Sequence, residues 1–195
     1  MTIDEIIFEV NEVYREIEEQ MALITSKSKI KCPDFCNLCC NKNDIEASPI
    51  EFFPLAAAIY ESGDIDDILI RLDESDKTGY CVLFSPDAWK EGNWACQYYN
   101  NRGLICRLFG FGYRLNREGF PELVTCKYLK ENFSSAMERE LKSGLESNDS
   151  IPIFRNYSMK LFSIDPDLAL QQLPINKAIR VALEKMYFHY THGLK

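Results

Sequence analysis

Cys32-Pro33-Asp34-Phe35-Cys36-Asn37-Leu38-Cys39-Cys40 sets four thiols within nine positions, and the rest of the chain adds Cys81, Cys96, Cys106 and Cys126. Spacings of three and two intervening residues let one tight loop turn several thiolates toward a common point. Adjacent residues aim differently, so Cys39 and Cys40 cannot both serve one mononuclear ion without straining the backbone. A polynuclear cluster or a second site is the natural alternative. Four plus four thiolates satisfy two tetrahedral zinc sites, or one cluster with thiols to spare. A single cysteine is more often a small buried hydrophobe, and Cys81, in Tyr80-Cys81-Val82-Leu83-Phe84, is the most open to that reading. Four in nine positions are a different matter.

The surrounding composition says where such thiols operate. The chain has 195 residues, 46 % hydrophobic, enough for one ordinary core and too many for disorder. Its formal charge of −8 repels phosphate backbones and anionic membranes, which argues against both as partners. No stretch approaches the roughly 18–20 apolar residues that span a bilayer. Met1-Thr2-Ile3-Asp4-Glu5 lacks the basic head and apolar run of a signal peptide. A cytoplasmic location is expected, with reduced thiols that bind metal or do redox chemistry in preference to crosslinking.

Working outward, the helices announce themselves. Thr2 and Glu5 form a capping box ahead of Ile3, Ile6, Ile7, Val10, Val13, Tyr14, Ile17, Met21 and Ile24, which predicts an amphipathic helix over 2–25. Ser48-Pro49-Ile50-Glu51 is a second start, with an N-cap, proline at N1 and glutamate at N3, running to about Ser62 and stopping at Gly63. Asp64 opens a third helix that buries Ile65, Ile68, Leu69 and Leu72. Residues 76–110 mix cysteine, aromatics and turn signals with no sustained period, and a metal centre would supply the order that apolar packing lacks. Gly112 to Leu115 and Phe120 to Thr125 flank a hairpin turn at 116–119. Residues 133–146 read as a helix. Another follows Pro174 and carries Ile175, Ile179, Leu183, Met186 and Tyr190 inward. The fold class is therefore mainly α, or α+β with a small hairpin, its helices set around a cysteine-rich, loop-rich centre. The expected organisation is a single domain over 1–195: an N-terminal helix (1–30), a metal-binding core (32–126) and a C-terminal helical region (127–195).

These segments together resemble the YkgJ-type cysteine-cluster family. The resemblance rests on Cys32-x3-Cys36-x2-Cys39-Cys40, the Ser48-Pro49-Ile50-Glu51 start, Cys81, Cys96-Gln97-Tyr98-Tyr99-Asn100-Asn101-Arg102 and Cys106-Arg107-Leu108-Phe109-Gly110, in order. It spans 32–126, and the combination is specific where no single segment is. The resemblance implies zinc or iron held by the matching cysteines. It says little about a reaction, although a related region occurs in flagellin lysine-N-methylases, enzymes that look longer than this chain. Two departures stand out. The family commonly has Arg-Pro where this chain has Arg102-Gly103, a loss that should loosen the turn without removing a ligand. The first spacing is also one residue longer than the CxxCxxCC name.

Residues Cys32, Cys36, Cys39, Cys40, Cys81, Cys96, Cys106 and Cys126 are thus the candidate metal ligands, with an iron–sulfur cluster favoured over zinc. Only Cys36-x2-Cys39 has the shape of a zinc knuckle. Cys32, Cys36 and Cys39 share the spacing that chelates a four-iron cluster in radical S-adenosylmethionine enzymes, although the chain lacks the length and pattern of their barrel. Arg102 and Arg107, with Arg114 nearby, are candidates to compensate thiolate charge or hold an anionic cofactor or substrate; surface ion pairing is the plainer role. Trp89, Trp94, Tyr98, Tyr99, Phe109 and Phe111 form either a mini-core or the wall of a cofactor pocket. His189 and His192 share a helix face, but they have no third ligand nearby, and His192 with Gly193 reads better as a helix end. Three functions are compatible with this inventory. The first is a metal-binding cysteine-cluster protein with a structural centre. The second is an iron–sulfur-dependent enzyme, an oxidoreductase or protein lysine N-methylase. The third is a metal store or chaperone. A protein or small-molecule partner is expected; its identity and any catalytic residue are not legible.

Overall fold

In the computed structural model, residues 1–32, 36, 38–40, 42, 44–75, 80–91, 95–146 and 151–193 are described, apart from the side chains of 28, 89, 137, 138 and 140–146. Trp94 and the side chain of Trp89 lie outside that description. In chain order the elements are α1 (Ile3–Ser28), β1 (Glu46–Ala47), α2 (Phe53–Ser62), α3 (Ile65–Ser75), α4 (Pro86–Lys90) and α5 (Leu104–Leu108). There follow β2 (Tyr113–Leu115), β3 (Pro121–Leu123), α6 (Lys127–Glu146), α7 (Phe154–Ile164), α8 (Pro166–Ala169), β4 (Leu173–Pro174) and α9 (Ile175–Thr191). The chain is mainly helical, and the sheets described are two small antiparallel pairs, β1–β4 and β2–β3. Among the described residues no helix is long and apolar enough to cross a membrane.

The capping box at α1 forms: Thr2 N–H donates to Glu5 Oε2 at 2.7 Å, and Glu5 N–H donates to Thr2 Oγ1 at 3.2 Å. The helix runs three residues past the expected end. It closes at Lys29, whose left-handed backbone (φ 61°) lets its N–H reach Thr25 O. Its inward stripe is Ile6, Val10, Val13, Tyr14 and Ile17.

The second start also holds, with one refinement. Ser48 N–H and Oγ both donate to Glu51 Oε1, at 2.8 and 3.0 Å. Residues Pro49–Phe52 form a 3-10 turn before α2 begins. Pro54 has no N–H to offer Ile50 O, so Phe53 N–H takes that carbonyl and the first turn tightens. Helix α2 ends where Gly63 adopts φ 81°, with Gly63 N–H on Tyr60 O and Asp64 N–H on Ile59 O.

Helix α9 packs on α2 and on the turn before it. Phe53, Leu55, Ile59, Ile179, Leu183 and Met186 are almost wholly enclosed there. The two-residue ladder of β1 and β4 pairs Ala47 with Leu173 and fixes the start of α9 beside the segment that enters α2. Ile65, Ile68 and Leu72 are the buried face of α3.

Two expectations need correction, and two regions hold helices that were not individually expected. Tyr190 is 43 % exposed; the last turn of α9 overhangs the core, and the ring stacks on Tyr60 at 4.6 Å while its hydroxyl donates to Asp4. Helix α6 begins at Lys127, six residues before the expected start, and bends at Phe133, whose φ of −132° leaves the helical region. The aperiodic middle contains the short helices α4 and α5. Helix α7 carries no side-chain cap, whereas α8 starts on an Asp165 N-cap, which accepts from Leu168 N–H at 2.9 Å, with Pro166 at N1; together they bury Tyr157, Leu161 and Leu168. The hairpin matches its expectation, with Arg114 opposite Glu122.

Leu183→Ala should cost about 2–5 kcal/mol, the usual price of an enclosed leucine, whereas Tyr190→Phe should stay within about 0.5 kcal/mol. Urea unfolding of both variants checks this. Equal losses would contradict the placement of α9.

Candidate metal centre

The thiols meet around a cavity of about 370 Å³ between α1, the start of α9 and the cysteine-rich loops. The segment leaving α1 contributes Cys32, Cys36, Cys39 and Cys40, while Cys81, Cys96 and Cys106 come from the middle of the chain. Cys126 is absent from the cavity wall but packs in one small cluster with Cys32, Ile30 and Leu129. All eight cysteines are free thiols. Among the described residues, no three His, Cys, Asp or Glu side chains close tightly enough on one point to hold an ion as they stand.

Each cysteine is placed by local chemistry. Cys81 N–H donates to Cys40 O at 3.1 Å, joining the first loop to the second. Residues 81–84 turn back, Phe84 bridges Cys96, and flanking bonds run from Ser85 N–H to Ala95 O and from Gln97 N–H to Leu83 O. Cys106 rides on α5, whose Ile105 N–H donates to Glu51 Oε2 at 3.1 Å. Glu51 thus caps two elements with its two oxygens. Cys126 stands at the head of α6, with Leu129 N–H directed at its sulfur at 3.4 Å, the position of an N-cap side chain.

Several supports were invisible in sequence. Asn176 at the start of α9 clamps both flanks of Cys81: its Oδ1 accepts from Val82 N–H at 2.9 Å, and its Nδ2 donates to Tyr80 O at 2.8 Å. Arg71 bonds Gln97 Oε1 at 2.6 Å and also the carbonyl of Val82, pinning the turn between Cys81 and Cys96. An asparagine in a first helical turn was the only local signal, because its partners lie 94 and 96 positions away.

The three arginines divide. Arg102 lies against the thiols, its guanidinium 3.5 Å over the Tyr99 ring and its Nε donating to Tyr99 O at 2.7 Å. Arg107 also lines the cavity, but its nitrogens are spent on Glu18 and on the carbonyls of Arg102 and Asn100. It stacks on Tyr14 and so locks the 100–107 loop to α1. Arg114 is exposed and pairs with Glu122 across the hairpin, the plainer role. Tyr99, Phe109 and Phe111 wall the cavity, whereas Tyr98 turns away to Asp64 and Ser62. His189 and His192 line a separate cavity that shares no lining residue with this one, and His192 caps α9.

Burial dominates the proton chemistry. It pushes Cys32 up to about 11 and both Cys39 and Cys81 up to about 12, with neighbouring thiols adding to it and Arg102 easing it for Cys32 and Cys39. Burial also raises Cys106, against the pull of Arg102. Cys40 donates to Cys96, which raises Cys40 and lowers Cys96 toward about 7; the Tyr98 backbone and Arg102 also favour the Cys96 anion. The donor set suits a soft metal. The described wall offers sulfur, no histidine, and one carboxylate, Glu18, that Arg107 already holds.

Gly103 departs from the expected looseness. A Cβ there would sit 2.7 Å from Phe52 Cε1 and 3.2 Å from Glu51 Oε2, so the backbone is seated directly on the core.

One family's sequence model, CxxCxxCC, described as "Putative zinc- or iron-chelating domain", matches residues 31–135. The chain belongs to this family, and metal binding is the coarse function that membership carries. No curated protein and no solved structure matches it.

Gly103→Ala should cost about 1–3 kcal/mol, because Phe52 has nowhere to retreat; an unchanged thermal midpoint would contradict the close packing. A second outcome concerns pH. Burial holds the Glu51 carboxyl above its ordinary 4.5, against hydrogen bonds from Ser48 and Ile105. The folded chain then keeps a proton that the unfolded chain releases, so this contribution to stability declines as pH rises from 4.5 through the raised value. Stability relative to Glu51→Gln should fall over that window and level off above it. A flat difference across it in urea titrations would contradict the assignment.

Proposed function

We propose that this member of the CxxCxxCC family holds an iron–sulfur cluster, or zinc, through the thiolates of Cys32, Cys36, Cys39, Cys40, Cys81, Cys96, Cys106 and Cys126. The observation that carries the reading is the shared cavity: seven of these thiols, from the loop after α1, the 81–96 turn and α5, line one space. The chemistry of the wall supports it. Thiolates are soft donors that select zinc or iron–sulfur centres over hard cations. The apolar side chains of Phe52, Phe109, Phe111, Ile175 and Ile179 keep water back, and Arg102 supplies positive charge beside the sulfurs.

An iron–sulfur cluster takes one electron reversibly, and zinc supplies a fixed crosslink without redox chemistry. The protein's own part is the same in both cases. Asn176 and Arg71 orient Cys81 and Cys96, Glu51 and Gly103 seat the helix bearing Cys106, and Arg102 offsets thiolate charge. Iron–sulfur is favoured over zinc because the first loop has only one knuckle-shaped pair. The centre has at least a structural role, since it would bind the loop after α1 to the middle of the chain.

Anaerobic purification followed by elemental analysis tests the reading. Iron with sulfide and absorption at about 400 nm is expected from thiolate-bound clusters; stoichiometric zinc in a colourless protein would select zinc. Cys36→Ser with Cys39→Ser should lose metal and much of the helical circular dichroism. Retention of both would count against the proposal.

A further inference from the structure

We propose that the eight thiols form two separate four-thiol centres, Cys32/Cys36/Cys39/Cys126 and Cys40/Cys81/Cys96/Cys106, with the chain passing from one to the other across the Cys39–Cys40 peptide. The inference rests on the metal-binding reading above and assigns its ligands.

Packing makes the division. Cys81 and Cys96 belong to the main apolar core, and Cys40 and Cys106 pack against that core. Cys32 and Cys126 pack against a different cluster, built on Ile30 and Leu129. Backbone tethers follow the same line. Within the second set, Cys81 N–H bonds Cys40 O, and the turn from Cys81 returns through Phe84 to Cys96. Within the first set, Cys32 follows the left-handed end of α1, and Cys126 caps α6.

Proximity sorts alike: Cys32 and Cys39 each neighbour Cys36 and Cys126, and Cys40 neighbours Cys81, Cys96 and Cys106. Cys39 also neighbours Cys106, as expected for centres that share a wall, and Arg102 lines the cavity beside both sets. Thr125 supplies a further sign beside the first set: its hydroxyl is buried with no hydrogen-bond partner among the described residues, and an anionic centre next to Cys126 would provide one.

Cys39 and Cys40 lie side by side in a turn, and of the two it is Cys40 that packs against the main core, so the pair suits two centres better than one. Four thiolates close a tetrahedral zinc site or complete the ligand set of one cluster. Neither centre then keeps an open position, which fits crosslinking or electron carriage.

Metal counting on the anaerobically purified full chain, by elemental analysis with native mass spectrometry, tests the division. Two zinc ions or two clusters per chain are expected. Cys126→Ser and Cys96→Ser should each lose half of the metal. In case a variant fails to fold, the wild-type chain is stripped stepwise with a chelator and alkylated. Alkylated cysteines should appear in two groups of four, with Cys39 and Cys40 in different groups. One centre per chain, or simultaneous labelling of all eight, would overturn the division while leaving metal binding intact. A chain that carries no metal and takes up none would overturn both.

Discussion

Several thiols buried side by side cannot all ionise without a cation among them. Burial and mutual repulsion raise Cys32, Cys39, Cys81 and Cys106 together, and Cys96 is eased downward by taking a hydrogen bond from Cys40. The proteins that tolerate such crowding either keep the thiols protonated or spend them on metal. A wall with a large apolar share, Phe52, Phe109, Phe111, Ile175 and Ile179 among it, and with Arg102 against the sulfurs is organised for the second. The remaining architecture can be understood as the means of bringing those sulfurs together and holding them.

That means is largely second-hand. Helices α1, α2 and α9 build a conventional core, and the cysteines are attached to it by polar fasteners. Glu51 links the turn before α2 to α5, Asn176 links α9 to the flanks of Cys81, and Arg107 links the 100–107 loop to Glu18 of α1. Tyr14 adds its hydroxyl to Glu51 O at 2.6 Å and its ring beneath Arg107. Most of these groups are buried, where an unmet hydrogen bond costs about 1–3 kcal/mol, so the fasteners specify geometry as well as add stability. Gly103 belongs with them, because its missing side chain lets α5 rest on Phe52.

Sequence reading reached the parts governed by local rules. Capping boxes and 3.6-residue periodicity placed α1, α2, α3 and α9, and the hairpin followed from its turn. The first cysteine loop was legible because its spacing is itself chemical information. Helix α6 was misplaced because its N-cap is Cys126, a residue outside the usual Ser, Thr, Asp and Asn signals. Helix α7 was missed because Ile153 offers no side-chain cap. Tyr190 kept the period of its helix yet lay beyond the core's edge, a boundary that periodicity does not record. The fasteners Asn176 and Arg71 act across tens of positions, so nothing local distinguishes them from surface polar residues; Arg107 stood out beside Cys106, but its partner Glu18 lies 89 positions away.

X-ray absorption at the edge of whichever metal the purified protein carries tests the central claim most directly, because it reads the ligands without assuming the fold. A first shell made wholly of sulfur at about 2.3 Å, whether around zinc or in an iron–sulfur cluster, is expected for thiolate ligation. A first shell dominated by nitrogen or oxygen would contradict it.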